Sequence, residues 1–451
     1  MSTALIILAA GKGTRMNSDL PKVLHPIAQA PMLAHAMHAG RALDPDQTII
    51  VAGHAAEAVT AAVAEIDETA QVVLQTEQLG TAHAVDQARS ALDGFQGDVV
   101  VLYGDTPFLQ PETLERMIAA RADADLVILG FQAADPARYG RLVMDGDVLE
   151  RIVEYKDANE AERAISFCNS GLIACNAKLL FDLIAKVGNE NASSEYYLTD
   201  VVELARAQGC RVTAVACDEE ETLGVNSRAD LARADAVFQS RARAELLDLG
   251  VTLMAPETVY LSLDTFIGRD AVIEPNVVFG PGVTVESGAL IRAFSHLEGC
   301  HVSRGAKVGP YARLRPGAEL AENTHVGNFV EIKNAEISEG AKINHLSYIG
   351  DASVGKRTNI GAGTITCNYD GVMKHHTEIG SDAFIGSNTL LVAPVKIGDE
   401  AMTATGAVVT RDVEDGALAI ARTPQVNKPG RAQKLMDLLR AKKARRDGGD
   451  A

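Results

Sequence analysis

A glycine-rich segment with two cations follows the first apolar run of the chain. Residues 5–10 (LIILAA) have the pattern of a buried strand and lead into residues 11–16 (GKGTRM), and Pro21-Lys22 adds a third cation. Glycines let backbone N–H groups approach an anion closely, and a following helix N-terminus favours negative charge. The segment lacks the dinucleotide-binding and P-loop fingerprints. A tight loop is the alternative for a G-x-G sequence alone, but the cations favour a phosphate-binding turn.

A carboxylate follows a second hydrophobic run. Residues 98–103 (DVVVLY) predict a strand, and Gly104-Asp105 comes directly after it. In open α/β sheets ligands bind beyond the carboxyl ends of the strands, where a nucleotide-bound magnesium ion would need an oxygen ligand. A turn or helix-capping aspartate is the alternative. The cations of residues 11–16 and Lys22 favour the metal site.

The elements that would position these groups alternate along the first half of the chain. Short apolar runs, typical of buried strands, alternate with helical segments such as Pro111 to Ala122, which indicates a parallel α/β sheet. The predicted buried strands are 48–52, 72–74, 98–103 and 126–130. Ser227 and Asp230 form a capping-box pattern ahead of a helix of about 20 residues, which we expect to connect two domains.

A six-residue period replaces this pattern beyond Val251, and it predicts a parallel β-helix in which short strands stack coil on coil. Aliphatic or aromatic residues recur at 267, 273, 279, 285, 291 and 297, at 302, 308, 314, 320, 326 and 332, and at 379, 385, 391 and 397. Such repeats also serve as scaffolds or oligomerisation stalks, so the period alone does not assign an activity.

Two cations are placed to form a second anion site in this region. Arg315 and Lys333 are separated by three six-residue periods, and if three such faces close one coil they stack about 4.8 Å apart. Like charges so stacked repel, and an anion between them recovers the cost. Two side chains splayed into solvent are the alternative. A histidine would suit proton abstraction from an amine, but periodicity does not choose among His296, His301, His325, His345, His375 and His376.

Composition limits the classes of function. A chain of 451 residues predicts two or more domains. Its net charge of -18 disfavours nucleic acid as a partner. The apolar run from Ala4 to Ala10 is too short for a membrane span and has no cationic segment before it, so we expect a cytosolic protein without membrane attachment. The six cysteines form no C-x-x-C pair, and reduced thiols are expected.

The motifs together resemble a known enzyme family. Residues 8–16 (LAAGKGTRM) with Pro21-Lys22, Gln75 with residues 78–82 (QLGTA), and Tyr103-Gly104-Asp105 are similar to sugar-phosphate nucleotidyltransferase motifs. Residues 344–351 (NHLSYIGD) match an acetyltransferase motif. The combination resembles the bifunctional bacterial N-acetylglucosamine-1-phosphate uridyltransferases and glucosamine-1-phosphate acetyltransferases. The resemblance covers nearly the whole chain and excludes mainly its C-terminal end, from about position 427 onward.

The resemblance implies the fold and the domain limits. We expect an α/β protein with a Rossmann-like nucleotidyltransferase domain (1–226), a linker helix (227–250), a left-handed parallel β-helix acetyltransferase domain of hexapeptide repeats (251–423) and a basic tail (424–451). From residue 428 this tail carries eight cationic and three acidic residues, which predicts a short solvated helix.

For the first site, the resemblance implies UTP and N-acetylglucosamine-1-phosphate as substrates and Mg²⁺ as cofactor. Arg15 and Lys22 would meet the nucleotide phosphates, and Asp105 and Asn226 would hold Mg²⁺. The remaining implied nucleotide and sugar residues are Leu8, Ala9, Ala10, Gly11, Gln75, Gly80, Thr81, Tyr103, Gly104, Gly140, Glu154, Asn169, Tyr197 and Thr199.

For the second site, the resemblance implies acetyl-CoA and glucosamine-1-phosphate as substrates. His345 would be the general base, with Glu331 orienting or assisting it. Arg315, Lys333, Tyr348 and Asn359 would hold the sugar phosphate, and Ala362, Asn368, Tyr369, Ser387, Thr405 and Arg422 would line the acetyl-CoA groove. Thr405 departs from the family pattern, which has alanine there. Acetyl-CoA lying along a prism side needs a second wall, so a homotrimer is implied.

Two other functions stay open at this point. The β-helix could be a regulatory or trimerising domain attached to an active nucleotidyltransferase, although residues 344–345 and 368–369 speak against it. The whole chain could instead be a noncatalytic assembly factor. Such a protein would be expected to have lost Asp105, Lys22 or the glycine loop, and this chain retains all three.

Overall fold

The structure is a computed structural model that describes residues 2–137, 139–191 and 194–447. The chain divides into two compact units. The first comprises Met1–Thr265 and Val278–Gly282, and the second comprises Phe266–Val277 and Val283–Ala451. No helix in the described residues combines the length and the apolar character that crossing a membrane requires.

The first unit is built on a mixed, mainly parallel sheet. In spatial order its main strands are Val212–Cys217, Leu126–Gln132, Phe167–Asn176, Asp98–Tyr103, Thr3–Ala9, Gln47–Ala52 and Gln71–Leu74. The strand Phe167–Asn176 runs antiparallel to both of its neighbours, and the hairpin Arg141–Asp145 and Val148–Val153 joins the sheet through it.

Helices cover both faces of this sheet. Two separate hydrophobic clusters pack on it, because alternate residues of the central strand Thr3–Ala9 point to opposite faces: Ile6 belongs to one cluster, while Leu5 and Ile7 belong to the other. The α-helices of the unit are Met32–Arg41, Ala56–Ile66, Thr81–Asp86, Pro111–Ala120, Glu160–Arg163, Ala177–Ile184, Asp200–Ala207 and Arg228–Asp248. The predicted Rossmann-like α/β fold is confirmed.

One strand differs from the prediction. Residues 72–74 do form a strand, within Gln71–Leu74, but it is not buried: Val72 and Val73 are half-buried and Leu74 is 55% exposed. The strand is the last one on the sheet path, so it has a strand neighbour on one side only. An apolar run of this length shows that a strand forms but not where it lies in the sheet.

The helix Arg228–Asp248, here called the linker helix, begins as its sequence predicts. The Ser227 hydroxyl accepts from the Asp230 amide, and the Asp230 carboxylate accepts from the Ser227 amide, so the capping box is complete. The first hydrogen-bonding groups of the helix are thereby satisfied.

The second unit consists of short parallel strands in stacked coils. Each residue of the predicted six-residue series is at most 3% exposed, so one side chain per short strand fills the interior. The strands of one face are Val272–Ile273, Leu290–Ile291, Lys307–Val308, His325–Asn328, Lys342–His345, Asn359–Ile360, Phe384–Ile385, Met402–Thr403 and Leu418–Ala419. The predicted fold is confirmed, since this is the arrangement of a left-handed parallel β-helix of hexapeptide repeats.

The other faces of the coils are formed by a second set of parallel strands. These are Phe266–Ile267, Val283–Val285, His296–Leu297, Cys300–Val302, Arg313–Leu314, Ala318–Leu320, Glu331–Ile337, Tyr348–Val354, Ile365–Cys367, Thr377–Ile379, Leu390–Val392, Val395–Ile397 and Val408–Val409.

The coil length is not constant. Leu314 pairs with Ile332, as three six-residue faces require, but Ile332 pairs with Ile349, so the next coil is shorter by a single position. The coil from Ile365 to its partner Leu390 is much longer. This long coil contains residues 368–376, which leave the repeat as a loop.

The basic segment lies beyond the coils. It forms the helix Arg431–Asp447, which is exposed to solvent over residues 431–446. The predicted solvated helix is therefore present in the structure.

Candidate active sites

One pocket in the first unit brings together most of the residues predicted to bind the nucleotide. It lies at the carboxyl ends of the strands Thr3–Ala9 and Asp98–Tyr103, where the glycine loop and Asp105 follow the sheet. The predicted residues that line it are Leu8, Ala9, Ala10, Gly11, Lys22, Gln75, Gly80, Thr81, Tyr103 and Asp105. Val23, Gln78, Ala84 and Glu195 complete the lining.

Two glycines of the segments that form or flank this pocket have conformations that a side chain would not allow. Gly13 has φ +55°, and a Cβ there would lie 2.5 Å from the Lys22 Cβ. Gly80 has φ +120°, and a Cβ there would lie 2.5 Å from the Tyr196 carbonyl oxygen. The glycines therefore let the backbone pass close to Lys22 on one side and to residue 196 on the other.

The polar end of the pocket is organised around Lys22. Its Nζ forms a short ion pair with Asp105 and donates to Asn226 Oδ1 at 3.2 Å. Asn226 is brought there because the Val225 amide donates to the Asp105 carbonyl at 3.1 Å. Three residues that are distant in sequence therefore meet at one point.

Arg15 lies on the exposed side of the same loop. Burial opposes ionisation of the nearby Asp230, but hydrogen bonds from Ser227 and Asn226 outweigh it, and with the positive charge of Arg15 they lower the pKa of Asp230. Arg15 is therefore exposed to solvent and lies close to a carboxylate.

The same oxygens fit a divalent cation. Asp105 and Asn226 both direct a side-chain oxygen at one point, which the Lys22 ammonium occupies. Mg²⁺ is usually bound by one or two protein oxygens together with waters and substrate phosphates. Within the described ranges no cluster of three or more His, Cys, Asp or Glu side chains forms a cage that would hold a metal by itself. The donor set is therefore suited to Mg²⁺ that arrives with a nucleotide.

The pocket is also lined by two amide side chains, those of Gln75 and Gln78. Gln75 Nε2 donates to the Gly80 carbonyl at 3.1 Å and lies 3.1 Å from His83 Nδ1. Gln78 Nε2 donates to the Ala10 carbonyl at 2.8 Å. Gln78 and His83 were not among the predicted site residues, although Gln78 lies inside the recognised QLGTA motif.

Gly104 and two of the predicted sugar-binding residues are held by backbone hydrogen bonds, and the side chain of a third lies beside them. The Gly104 amide donates to the Leu8 carbonyl at 3.0 Å, which keeps it next to the loop. The Asn169 amide donates to the Gly140 carbonyl at 2.8 Å, and a Cβ on Gly140 would lie 3.2 Å from Glu154 Oε1. Gly140, Glu154 and Asn169 therefore lie side by side.

The remaining sugar-binding candidates lie near a group of carboxylates. Burial, with the charges of Asp157 and Asp200, raises the pKa of Glu154. Thr199 is the residue before the helix Asp200–Ala207, and the Asp200 amide donates to the Tyr197 carbonyl at 3.3 Å. Tyr197 and Thr199 thus lie at the start of the helix Asp200–Ala207. The charge of Asp200, the first residue of that helix, is one of the causes of the raised pKa of Glu154.

A cationic cluster lies in the second unit. The strands Arg313–Leu314 and Glu331–Ile337 pair in register, and the Arg315 amide donates to the Ile332 carbonyl at 2.9 Å, so Arg315 stacks below Lys333. Lys374 is a third cation of this cluster, and its proximity, followed by burial and by Arg315, lowers the pKa of Lys333. Lys374 was missed because it lies in the loop that interrupts the six-residue period.

His345 is hydrogen-bonded to a residue that the sequence did not single out. Its Nδ1 lies 2.9 Å from Asn328 Oδ1, one coil below. Glu331, which was expected to orient or assist His345, accepts from Arg315 Nη1 at 2.8 Å. Asn328 pairs with His345 because the two residues are in register on the same face, whereas Glu331 is in register with Tyr348.

The inserted loop is tied to the coil beside this cluster. Asn368 Nδ2 donates to Asp351 and lies 3.4 Å from the Tyr348 hydroxyl oxygen. Asp351 also accepts from Asn334 Nδ2 at 2.6 Å. Tyr369 is 60% exposed. Tyr348 and Asn368 thus lie together, whereas Asn359 lies on the other set of strands, in register with Lys342 and Phe384.

Four of the predicted acetyl-CoA residues form a line that ends at His345. The Gly363 amide donates to the His345 carbonyl at 3.2 Å, the Asn388 amide to the Ala362 carbonyl at 2.7 Å, and the Gly406 amide to the Ser387 carbonyl at 2.8 Å. Ala362, Ser387 and Thr405 therefore stack on one edge. Arg422 Nη1 donates to the Thr405 main-chain oxygen at 2.5 Å, a contact that does not depend on the side chain at position 405.

Comparison with known proteins identifies the family. The "Bifunctional protein GlmU" of Ruegeria sp. (strain TM1040) is 79% identical over 449 residues, which cover 100% of both chains. The chain belongs to the GlmU family. The GlmU protein of Ruegeria pomeroyi is 80% identical over 98% of this chain and 99% of its own length, and that of Roseobacter denitrificans is 66% identical over 100% of both.

Family models match three regions of the chain. A MobA-like NTP transferase domain matches residues 5–170, the bacterial transferase hexapeptide (six repeats) matches residues 264–299, and the hexapeptide repeat of succinyl-transferase matches residues 377–411. The predicted membership in a bifunctional uridyltransferase and acetyltransferase family is confirmed. The chain is a transferase with nucleotidyltransferase and hexapeptide-repeat acyltransferase regions. The reading as a noncatalytic assembly factor loses its basis.

Proposed function

We propose that each of the two sites performs one step in the synthesis of UDP-N-acetylglucosamine. The β-helix region, residues 251–423, transfers the acetyl group of acetyl-CoA to glucosamine-1-phosphate. The region 1–226 then transfers uridylyl from UTP to N-acetylglucosamine-1-phosphate and releases pyrophosphate, and residues 227–250 connect the two. The observation that carries the proposal is the convergence of Lys22, Asp105 and Asn226 at the nucleotide pocket.

For uridylyl transfer, the protein positions charges rather than supplying a nucleophile. A phosphate oxygen of N-acetylglucosamine-1-phosphate attacks the α-phosphorus of UTP in line, the new P–O bond forms, and the bond to pyrophosphate breaks. Arg15 and Lys22 stabilise the negative charge on the departing pyrophosphate. No general base is needed, because the attacking oxygen is already ionised.

The substrates are oriented by the two ends of the pocket. Gln75, Gly80 and Thr81 hold the uracil and ribose, and Gly140, Glu154, Asn169, Tyr197 and Thr199 hold the sugar ring. Asp105 and Asn226 would hold Mg²⁺, which would supply positive charge to the triphosphate. The Lys22 ammonium lies at the point at which both oxygens are directed, so it is placed beside this position to meet the nucleotide phosphates.

For acetyl transfer, His345 is the general base. Because an amide oxygen only accepts hydrogen bonds, Asn328 Oδ1 fixes the proton of neutral His345 on Nδ1 and leaves Nε2 free to take a proton. The glucosamine amine attacks the thioester carbonyl, the C–N bond forms, His345 Nε2 takes the amine proton and the C–S bond to CoA breaks. Arg315, Lys333, Lys374 and Tyr348 hold the sugar phosphate, and Glu331 holds Arg315 in place.

Acetyl-CoA lies along the stacked edge next to this base. Ala362, Ser387 and Thr405 follow one another from His345, with Arg422 at the far end. Asn368 and Tyr369 form the loop side of the groove. This line of residues favours acetyl-CoA as the donor over a purely regulatory β-helix, because a scaffold would not require a base at one end and a cation at the other.

A homotrimer completes the groove. Phe294, Tyr311 and Phe329 stack on successive coils, with ring centroids 4.9 and 5.4 Å apart, and each is about half exposed. Leu346, which is 63% exposed and adjacent to His345, continues this ladder. An exposed apolar ladder is suited to a second copy of the chain, which would bring the second wall to the acetyl-CoA groove. We place the enzyme in the cytoplasm, without nucleic-acid or membrane partners.

Two assays on the same protein test the proposal. One measures pyrophosphate release from UTP and N-acetylglucosamine-1-phosphate, and the other measures CoA release from acetyl-CoA and glucosamine-1-phosphate. Asp105→Ala should abolish only the first activity and His345→Ala only the second. Loss of both activities in either folded variant would contradict the division of labour. Absence of acetyl transfer in the unmodified protein would favour a regulatory β-helix.

A further inference from the structure

The first turn of the linker helix contacts both ends of the cationic loop, residues 14–25. Arg228 is the first residue of that helix, and its Nε donates to the Met16 carbonyl at 3.2 Å. Its Nη1 lies 3.2 Å from His25 Nδ1. Met16 and His25 are 1% and 2% exposed, so both contacts are made to buried groups. One guanidinium therefore fastens both ends of the segment that carries Arg15 and Lys22.

A cation at this position does not benefit the helix itself. The N-terminal turn of a helix carries a partial positive charge, and a cation there is unfavourable. The end of the helix is already capped by Ser227 and Asp230, so Arg228 is not required for capping. Part of its side chain remains exposed. The favourable contacts of Arg228 are those it makes with the loop.

The contact with Arg228 also defines the protonation state of His25. A guanidinium only donates hydrogen bonds, so His25 Nδ1 must accept, and the imidazole is neutral. Burial and then the charge of Arg228 lower the pKa of His25, which maintains this neutral form. The two contacts are thus compatible with each other at neutral pH.

The segment around Arg228 contacts the residues that are proposed to meet the triphosphate. Two residues earlier, Asn226 accepts from Lys22 Nζ, and two residues later, Asp230 lies close enough to Arg15 to interact with its charge. The turn 226–230 therefore contacts Met16, Lys22 and His25 of the loop and lies close to Arg15.

We propose that Arg228 is a positioning residue for uridylyl transfer: it holds the loop closed so that Arg15 and Lys22 face the triphosphate before the nucleotide arrives. This inference rests on the proposed function of the first site. Loss of the contacts leaves both cations present but less well placed. Their stabilisation of the departing pyrophosphate falls, while the base and sugar subsites remain intact.

The test compares Arg228→Met and Arg228→Lys with the unmodified enzyme in both assays. We expect Arg228→Met to lower kcat/KM for uridylyl transfer by about 10- to 100-fold, mainly through kcat, because a small misplacement of catalytic groups has effects of that size. Arg228→Lys, which keeps the charge but not the fork of donors, should be intermediate. Guanidinium ions at millimolar concentration should restore part of the rate of Arg228→Met.

The controls use the same helix and the same polypeptide. Arg241 lies on the linker helix and pairs with Glu220 at 2.8 Å, away from the loop, so Arg241→Met should keep both activities. Acetyl transfer should be unchanged in every variant. Unchanged kcat and KM for uridylyl transfer in Arg228→Met would overturn the inference and leave the proposed function intact. An equal fall in both activities would show a structural role and would also overturn it. An unmodified enzyme without uridylyl transfer would instead refute the proposed function.

Discussion

The pairing of Asn328 with His345 allows a quantitative test of the acetyl-transfer site. Replacing Asn328 with leucine removes the acceptor 2.9 Å from His345 Nδ1 while preserving the size of the side chain. Without it, the imidazole of His345 is free to rotate and to exchange tautomers. The fraction of molecules with Nε2 directed at the amine then falls.

The size of the effect follows from the hydrogen bond. A neutral hydrogen bond contributes about 0.5–1.5 kcal/mol net. Since about 1.36 kcal/mol corresponds to a tenfold change in rate, kcat for acetyl transfer should fall by about 2- to 13-fold in Asn328→Leu. Removing the base itself in His345→Ala should have a larger effect, on the order of 10²- to 10⁴-fold. The difference separates the orienting residue from the base.

Asn328→Asp tests the same geometry with a charge. The carboxylate keeps an acceptor at Nδ1 but favours the protonated imidazole, so a larger fraction of His345 is inactive at a given pH. The acidic limb of the acetyl-transfer profile should therefore move to higher pH, whereas Asn328→Leu should not move it in that direction. Both variants are assayed by CoA release over a range of pH, with uridylyl transfer as the internal control.

Either of two results would refute this reasoning. If Asn328→Leu had the kcat of the unmodified enzyme, the hydrogen bond would have no role in orienting the base. If Asn328→Asp left the acidic limb in place, His345 would not be the group whose protonation limits the rate. A parallel loss of uridylyl transfer would indicate damage to the whole protein.

Three further outcomes are expected. Removal of divalent metal with EDTA should abolish uridylyl transfer and leave acetyl transfer unchanged, with Mg²⁺ restoring the first; residual activity in EDTA would contradict the metal site. Because burial and then Asp157 and Asp200 raise the pKa of Glu154, KM for N-acetylglucosamine-1-phosphate should rise as the pH falls through that raised pKa, and Glu154→Gln should remove this dependence. Glu221→Ala leaves the Gln110 amide and the Thr113 hydroxyl without their acceptor and should destabilise the first unit by about 2–4 kcal/mol in urea titrations.

The nucleotide pocket was predictable because it depends on local patterns and a general rule of α/β sheets. The glycine loop and Asp105 each follow a hydrophobic strand, and the carboxyl ends of neighbouring parallel strands meet at one edge. The structure places Lys22 and Asp105 in contact although they are far apart in sequence. Asn226 was placed only by resemblance, because nothing in its local sequence indicates that Val225 bonds to Asp105.

The acetyl-transfer site was predictable only in part, because its coils differ in length. Arg315 and Lys333 stack as predicted for a coil of three six-residue faces. The next coil is shorter, which puts Asn328 below His345. The insertion lengthens a later coil and brings Lys374 to Lys333. The six-residue period therefore predicts which side chains fill the interior more reliably than it predicts which residues contact His345 and Lys333.

Both sites share one electrostatic arrangement, and it explains how an acidic protein binds anionic substrates. The chain carries a net charge of -18, so long-range attraction does not favour phosphates. Instead, one cation of each proposed site is paired locally with a carboxylate: Lys22 with Asp105, and Arg315 with Glu331. An arriving phosphate must compete with these carboxylates. It binds where several cations are arranged to fit the shape of the ligand. Selectivity for small, correctly shaped anions over polyanions follows from this competition rather than from the overall charge.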